Sequence, residues 1–214
     1  MAFSIDERRT ALLCLHFQND IVDETGALKD FGSAAMVAKQ ATLPKVASLQ
    51  RAARDVGVKV IHVAVRFQPG YADMPQNAPL FQAVAAANGL VEGTWGGEFH
   101  SSVAPAEDDV VVVNKGTSAF SGSNLREELA SAGIDVLLLA GVATNFVVES
   151  TARQAADLGY KVAVIGDCCA SASAEMHEAA LVTALPFLAT VTDSEQVIAV
   201  LRREEVESTA VPHQ

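Results

Sequence analysis

At 214 residues, half of them hydrophobic, the chain is long enough to bury a sizeable core within one domain. Fifteen basic against 26 acidic residues leave a net charge of −11 at pH 7, which disfavours nucleic acid or an anionic membrane as a non-specific partner. No apolar run approaches the roughly 18 residues of a membrane span, and the opening MAFSIDERRT lacks the apolar core of a signal peptide, so a soluble cytoplasmic protein is expected, with Cys14, Cys168 and Cys169 reduced.

Short Val/Leu/Ile runs alternate with longer amphipathic stretches, the pattern of a parallel sheet with crossover helices. Residues 10–17 (TALLCLHF) predict the first strand, and residues 34–56 a helix disturbed at Pro44 and stopped by Gly57. Residues 58–65 predict the second strand. Residues 66–108 are irregular, rich in proline and glycine, and carry Phe67, Tyr71, Trp95 and Phe99. Such a segment inside a compact domain reads as a binding loop that forms part of a pocket wall. Residues 109–113 follow as a third strand, then a helix over 123–132 capped by Ser123 and closed by Gly133, and a fourth strand over 134–140. A helix running to Leu158 ends at Gly159, before a fifth strand at 160–165, a helix at 173–185 ended by Pro186, a short strand at 189–191, and a last helix from 193 to about 203. A single three-layer α/β sandwich with right-handed crossovers accommodates this order.

In such a fold ligands bind beyond the carboxyl ends of the strands. Those ends carry His16 to Asp20, Arg66 and Phe67, Asn114 to Phe120, Gly141 to Val147, and Asp167 to Ala170. His16 is a candidate general base and Lys115 a candidate cationic donor. The stretch GVATNFVVEST, where the fourth strand breaks at Gly141 and a helix begins under Thr144, offers unpaired backbone N–H groups as an oxyanion seat, with Ala143, Asn145, Phe146 and Val147 at the pocket rim. None of these rim residues is a nucleophile. No glycine pattern of the dinucleotide or phosphate-loop type follows any strand, so no nucleotide cofactor is expected.

Three segments resemble the isochorismatase-like, or cysteine hydrolase, superfamily: TALLCLHFQNDIV, VVNKGTSAFSGSNL and GVATNFVVESTARQAADLGYKVAVIGD, in the family's order and over nearly the whole chain. The resemblance implies a three-layer α/β/α sandwich with a mostly parallel six-stranded sheet, a dimeric or tetrameric assembly, and hydrolysis through an Asp, Lys and Cys triad. Carried over by position, Lys115 matches the family lysine, with Phe120 in the segment that follows it. His16 stands at the aspartate position before Phe17, and Val147 at that of the cysteine, three residues after Thr144. Neither Cys14 nor the Cys168 and Cys169 pair occupies the nucleophile's place.

Replacing aspartate by histidine beside Lys115 sets two basic groups together, which predicts a neutral imidazole, an excess of positive charge and a preference for an anionic ligand. Two readings of His16 stand: a base that activates water, or a hydrogen-bonded core histidine. Arg66 is either a carboxylate binder or an ion-pair partner, Trp95 a pocket wall or an oligomer contact, and Asp20 a local turn or a structural residue near the pocket. The metal-binding branch of the family uses an aspartate and two histidines after the second strand; that set is missing here, so no metal is expected. The two apolar stretches at 81–87 and 147–151 are either core or subunit contacts. Two functions follow from this reading: a non-covalent, water-using hydrolase of a small amide, lactam, ester or enol ether, or an inactive relative that binds a small anion or serves assembly.

Overall fold

The computed structural model describes residues 5–203. The first four residues, part of the stretch read for a signal peptide, and His213 lie outside them. Chain order gives β1 (Thr10–Leu15), α1 (Asn19–Val22), α2 (Ser33–Lys39), α3 (Thr42–Asp55), β2 (Lys59–Val65), α4 (Pro79–Ala86), β3 (Val110–Asn114), α5 (Leu125–Ser131), β4 (Val136–Val142), α6 (Glu149–Asp157), β5 (Lys161–Ala170), α7 (Ala174–Ala179), β6 (Thr190–Thr192) and α8 (Ser194–Arg202). The strands form one sheet in the order β3-β2-β1-β4-β5-β6. Every pairing is parallel, so the sheet is wholly rather than mostly parallel.

Side-chain alternation divides the apolar strands between two cores. Leu12, Cys14, Leu138, Ala140 and Ile165 face α3 and α8 through Val46, Leu49, Val197 and Leu201. Leu13, Leu15, Leu137, Leu139 and Val164 face α5 and α6 through Leu125, Leu129, Ala152 and Ala155. Because both faces are covered, β1 and β4 are buried along their whole length, and their sequences read as unbroken apolar runs. The result is a three-layer α/β/α sandwich. No helix among the described residues is long and apolar enough to cross a membrane.

Several boundaries differ from the expected ones. The helix expected over 34–56 is two helices, α2 and α3, separated at Ala41, whose φ of 51° breaks the spiral. Pro44 falls in the first turn of α3, where its missing N–H costs no intrahelical bond. β4 does not break at Gly141 but continues to Val142. Gly141 is there for another reason: a Cβ would lie 2.6 Å from Leu15 Cβ and 2.9 Å from the Leu15 carbonyl of neighbouring β1. β5 runs five residues past Ile165, with a register irregularity opposite Leu139 and Gly141. Ser123 accepts the Leu125 N–H at 3.3 Å, so its capping bond is present although α5 itself begins at Leu125. The stretch expected as one helix over 173–185 passes from α7 through a wide turn, Ala180–Ala184, into a tight one, Leu185–Phe187.

The chain reverses its direction of progress across the sheet between β1 and β4, since β2 and β3 lie to one side of β1 and β4 to β6 to the other. The carboxyl ends of β1 and β4 therefore border the crevice where sheets of this kind hold ligands. The irregular segment 66–108 covers it. It is tied down by a bridge between Phe67 and Val91 and another between Gln18 and Phe99, and it contains α4.

Candidate active site

His16 follows the last residue of β1 in the left-handed region, with φ 59°. Its backbone N–H donates to the Val63 carbonyl at 2.9 Å, and its side chain is buried, 6% exposed. Nε2 lies 3.0 Å from Asn114 Oδ1 at the end of β3. The Asn114 amide nitrogen donates to the carbonyls of Gly116 and Ser118, each at 2.8 Å, so its oxygen is the acceptor and His16 Nε2 carries the proton. Nδ1 is left with its lone pair and no hydrogen-bond partner among the described residues. Burial pushes the imidazole down to about 4, only partly opposed by the Asn114 bond. At neutral pH it is an uncharged ring able to accept one proton.

Beyond β4, Ala143 is extended, and the next turn, Thr144–Val148, is wider than an α-helix. The Ala143 carbonyl accepts the N–H groups of Phe146 at 3.1 Å and Val148 at 3.3 Å. The amides of Thr144 and Asn145 have no acceptor among the described residues, and they sit at the positive end of the turn that continues into α6. Asn145 Oδ1 accepts from the Ser171 hydroxyl beyond β5, which leaves the Asn145 amide nitrogen free to donate.

These groups border a cavity of about 420 Å³. Of the residues expected at the site, His16, Phe67, Ala143, Asn145, Phe146 and Val147 line it. The others do not. Phe17 is fully buried in the core beneath, as the alternation of neighbouring residues requires. Thr144 is also buried, with its hydroxyl 2.7 Å from His177 Nδ1. Phe120 stacks on Tyr160 with ring centroids 6.1 Å apart. Trp95 is 55% exposed on the outer side of the covering segment. Arg66 donates to the Gly97 carbonyl at 2.7 Å and pairs with Glu98 at 3.0 Å, so the ion-pair reading holds for it.

Lys115 is the largest departure from expectation. Its ammonium is absent from the cavity lining and pairs with Asp73 at 2.6 Å, while donating to the Arg66 carbonyl, also at 2.6 Å. Burial by itself pushes the Asp73 carboxyl up, but the Lys115 ammonium and the Gln68 amide outweigh it and hold the group below the usual carboxylate range. The excess positive charge expected from His16 beside Lys115 does not arise. His16 is neutral because it is buried, and Lys115 is compensated by a carboxylate from the covering segment. An anionic ligand thus meets no free cation on the lining.

Most of the remaining wall is apolar, and much of it comes from the 66–108 segment expected to form part of a pocket wall, although these side chains were not singled out. Leu80, Phe81 and Val84 come from α4, Leu28 and Leu90 from flanking loops, and Met176 from α7. The apolar stretch around Phe81 and Val84 is therefore cavity wall, and Val147, Val148 and Thr151 are buried core. The i, i+3 spacing of Phe81 and Val84 in an otherwise small-residue run was the available signal. Loop residues such as Leu28 carried none.

The covering segment is held by the three polar residues after Phe17, all buried. Gln18 bridges Val65, donating to its carbonyl and accepting its N–H at 2.8 Å each, and also donates to Gly97 at 3.1 Å. Asn19 donates to the Trp95 carbonyl at 2.7 Å. Asp20 accepts the N–H groups of Ala27 at 2.8 Å and Leu90 at 2.7 Å, and a Cβ at Gly96 would overlap its carboxylate. Asp20, in the short helix α1, is thus a long-range anchor as well as a partner of the nearby Ala27 amide. Away from the cavity, His62 bonds Asp109 at 3.0 Å in a cluster with Arg54 that fastens β2 to α3. No group of three or more His, Cys, Asp or Glu side chains is arranged to hold a metal among the described residues.

Comparison with known proteins agrees with this fold. The isochorismatase domain family matches residues 10–196. An uncharacterized isochorismatase family protein, YecD of Escherichia coli O157:H7, is 30% identical over 197 residues, covering 91% of this chain and 97% of that protein. Maleamate amidohydrolase of Pseudomonas putida is 30% identical over 174 residues, covering 81% and 78% respectively. The solved structure of an isochorismatase family protein from Burkholderia thailandensis superposes with a TM-score of 0.77 at 28% identity, covering 93% of this chain and 98% of that one.

Proposed function

The chain belongs to the isochorismatase family, and from that premise we propose that it is a hydrolase that attacks the carbonyl of a small uncharged amide, lactam or ester with water rather than with a thiol. The observation that carries this reading is the state of His16: a ring fixed by Asn114 as the Nε2–H tautomer, neutral, with Nδ1 unpartnered on a residue of the cavity lining. Water gives a proton to Nδ1 as its oxygen bonds to the carbonyl carbon. The carbonyl π electrons move onto oxygen, and the free amides of the Thr144–Val148 turn and the Asn145 side chain receive the anion. Collapse of the adduct re-forms the carbonyl and breaks the bond to the amine or alcohol, which leaves with the proton held by His16. The cavity lining holds no cysteine, which supports a route without a covalent intermediate. The similarity to maleamate amidohydrolase supports amide chemistry in particular.

A second reading, an inactive ligand-binding relative, is supported by the withdrawal of Lys115 to Asp73. One experiment separates the two. A panel of neutral amides, lactams and esters is assayed with the wild type and His16→Ala, with intact-mass measurement for acyl adducts. Turnover that falls roughly 100-fold or more in His16→Ala, with no adduct, is expected. Undiminished turnover in the variant overturns the role of His16, and ligand binding with no turnover across the panel favours the inactive relative.

We propose also that the protein works as a homo-oligomer. Val182 and Phe187, 71% and 90% exposed, support an assembly through the segment after α7. Light scattering of the wild type against Phe187→Glu tests this, and a monomer in both cases overturns it.

A further inference from the structure

We propose that the cavity selects an uncharged, predominantly apolar ligand bearing one carboxamide-like head, and rejects carboxylates. The proposal rests on the His16 site described above and specifies what occupies it. Among the residues bordering the cavity there is no lysine, arginine, aspartate or glutamate. The two arginine and lysine side chains near enough in sequence to serve, Arg66 and Lys115, are committed to Glu98 and Asp73. His16 is uncharged at neutral pH. A carboxylate drawn into this space loses its water and gains no opposite charge, a cost that grows as the surroundings become more apolar.

Beside the hydroxyls of Ser33, Thr117 and Ser171, the lining offers one donor and one acceptor matched to a single polar head. His16 Nδ1 is an acceptor without a partner, and the Asn145 amide nitrogen is a donor whose own oxygen is already satisfied by Ser171. A neutral carboxamide or lactam presents the reverse set, a carbonyl for the Asn145 donor and an N–H for Nδ1 until the attacking water takes its place there. Most of the rest of the wall is apolar. Leu80, Phe81, Val84 and Leu90 cover one side and Val142 and Val147 the other. At the mouth the apolar side chains of Phe31, Phe146 and Met176 are 37%, 46% and 50% exposed, so the approach is apolar too. The volume of about 420 Å³ leaves room for an aryl or branched alkyl body beyond the head. This differs from a small dicarboxylic half-amide such as maleamate, which carries an ionised carboxylate beside its amide.

Isothermal titration at neutral pH with hydrocinnamamide, hydrocinnamate and maleamate tests the proposal, on the wild type and on Leu80→Arg, a partly exposed position on α4. The wild type is expected to bind hydrocinnamamide roughly 100-fold more tightly than hydrocinnamate, with maleamate no better than hydrocinnamate. Leu80→Arg is expected to narrow or reverse that ratio by supplying the missing cation. Hydrocinnamate or maleamate binding as tightly as hydrocinnamamide overturns the proposal, as does failure of all three to bind, or a ratio unchanged in Leu80→Arg. Turnover is followed separately. Selective binding of hydrocinnamamide without hydrolysis leaves this inference standing and removes the hydrolytic reading, whereas preferential hydrolysis of maleamate does the reverse.

Discussion

His16 Nε2 and Asn114 Oδ1 lie 3.0 Å apart, a bond that crosses from the end of β1 to the end of β3 over the strand between them. Both N–H groups of the Asn114 side-chain nitrogen are taken by carbonyls of its own loop, so the asparagine oxygen acts as a fixed acceptor. Asn114→Asp places an anion against the same ring N–H and stabilises the imidazolium. The pH at which His16 titrates is expected to rise from about 4 toward the ordinary histidine range, as followed by NMR of the ring protons. An unmoved titration would mean that the bond does not exist in solution.

The depressed titration of His16 also shapes stability against pH. Its folded value is about 4 against 6.5 unperturbed. Between these values the unfolded chain takes up a proton that the folded chain refuses, so stability falls as pH drops through that window and is complete above it. Burial lowers His62 and His177 as well, and they act in the same direction. His16→Gln retains a donor for Asn114 and does not titrate. Its stability is expected to depend less steeply on pH within the window, by up to about 1.4 kcal/mol per pH unit. Denaturant unfolding across the window checks this, and parallel curves for the two proteins would remove His16 from the account.

Lys115 and Asp73 make a different prediction. If the ion pair is what fastens the covering segment to the end of β3, Lys115→Met and Asp73→Asn are equivalent lesions. Each is expected to destabilise by about 1 kcal/mol, since both groups are partly exposed, and to speed hydrogen exchange in residues 66–100. The double variant should cost little more than either single one. A loss of turnover in Lys115→Met that Asp73→Asn does not share would instead give the lysine a direct part in the reaction.

The limits of the sequence reading have a common physical cause. Strand and helix positions follow from apolar periodicity, and the glycines before β2, β4 and β5 mark helix ends through their left-handed conformations at Gly57, Gly133 and Gly159. His16, Phe67 and the residues beyond β4 were legible because strand ends face the crevice. Which of two neighbours faces it was not. His16 and Phe17 diverge, and Thr144 turns under Asn145, because the local backbone decides direction. Lys115 was misplaced for a deeper reason: its partner, Asp73, comes from an irregular loop 42 residues earlier, and no spacing rule connects the two.

Val147 permits a demanding test of the nucleophile position that the family resemblance assigns. The side chain is 1% exposed and lines the cavity, so Val147→Cys puts a thiol where the family resemblance sets its nucleophile, at modest packing cost. The native thiols give little background. Cys14, Cys168 and Cys169 are all buried, and burial pushes Cys14 and Cys169 up to about 12 and Cys168 further still. Adding His16→Asp supplies a carboxylate base but leaves Lys115 held by Asp73, and a thiolate in an apolar cavity needs a cation. The ammonium is 5.8 Å from the centre of the Phe67 ring, and Phe67 lines the cavity, so the lysine held by Asp73 stands behind a residue of the cavity wall. Iodoacetamide labelling is therefore expected to remain slow in Val147→Cys and in the double variant, and to rise when Asp73→Asn is added. Equal labelling in the double and triple variants would show that the Asp73 pairing does not govern the site.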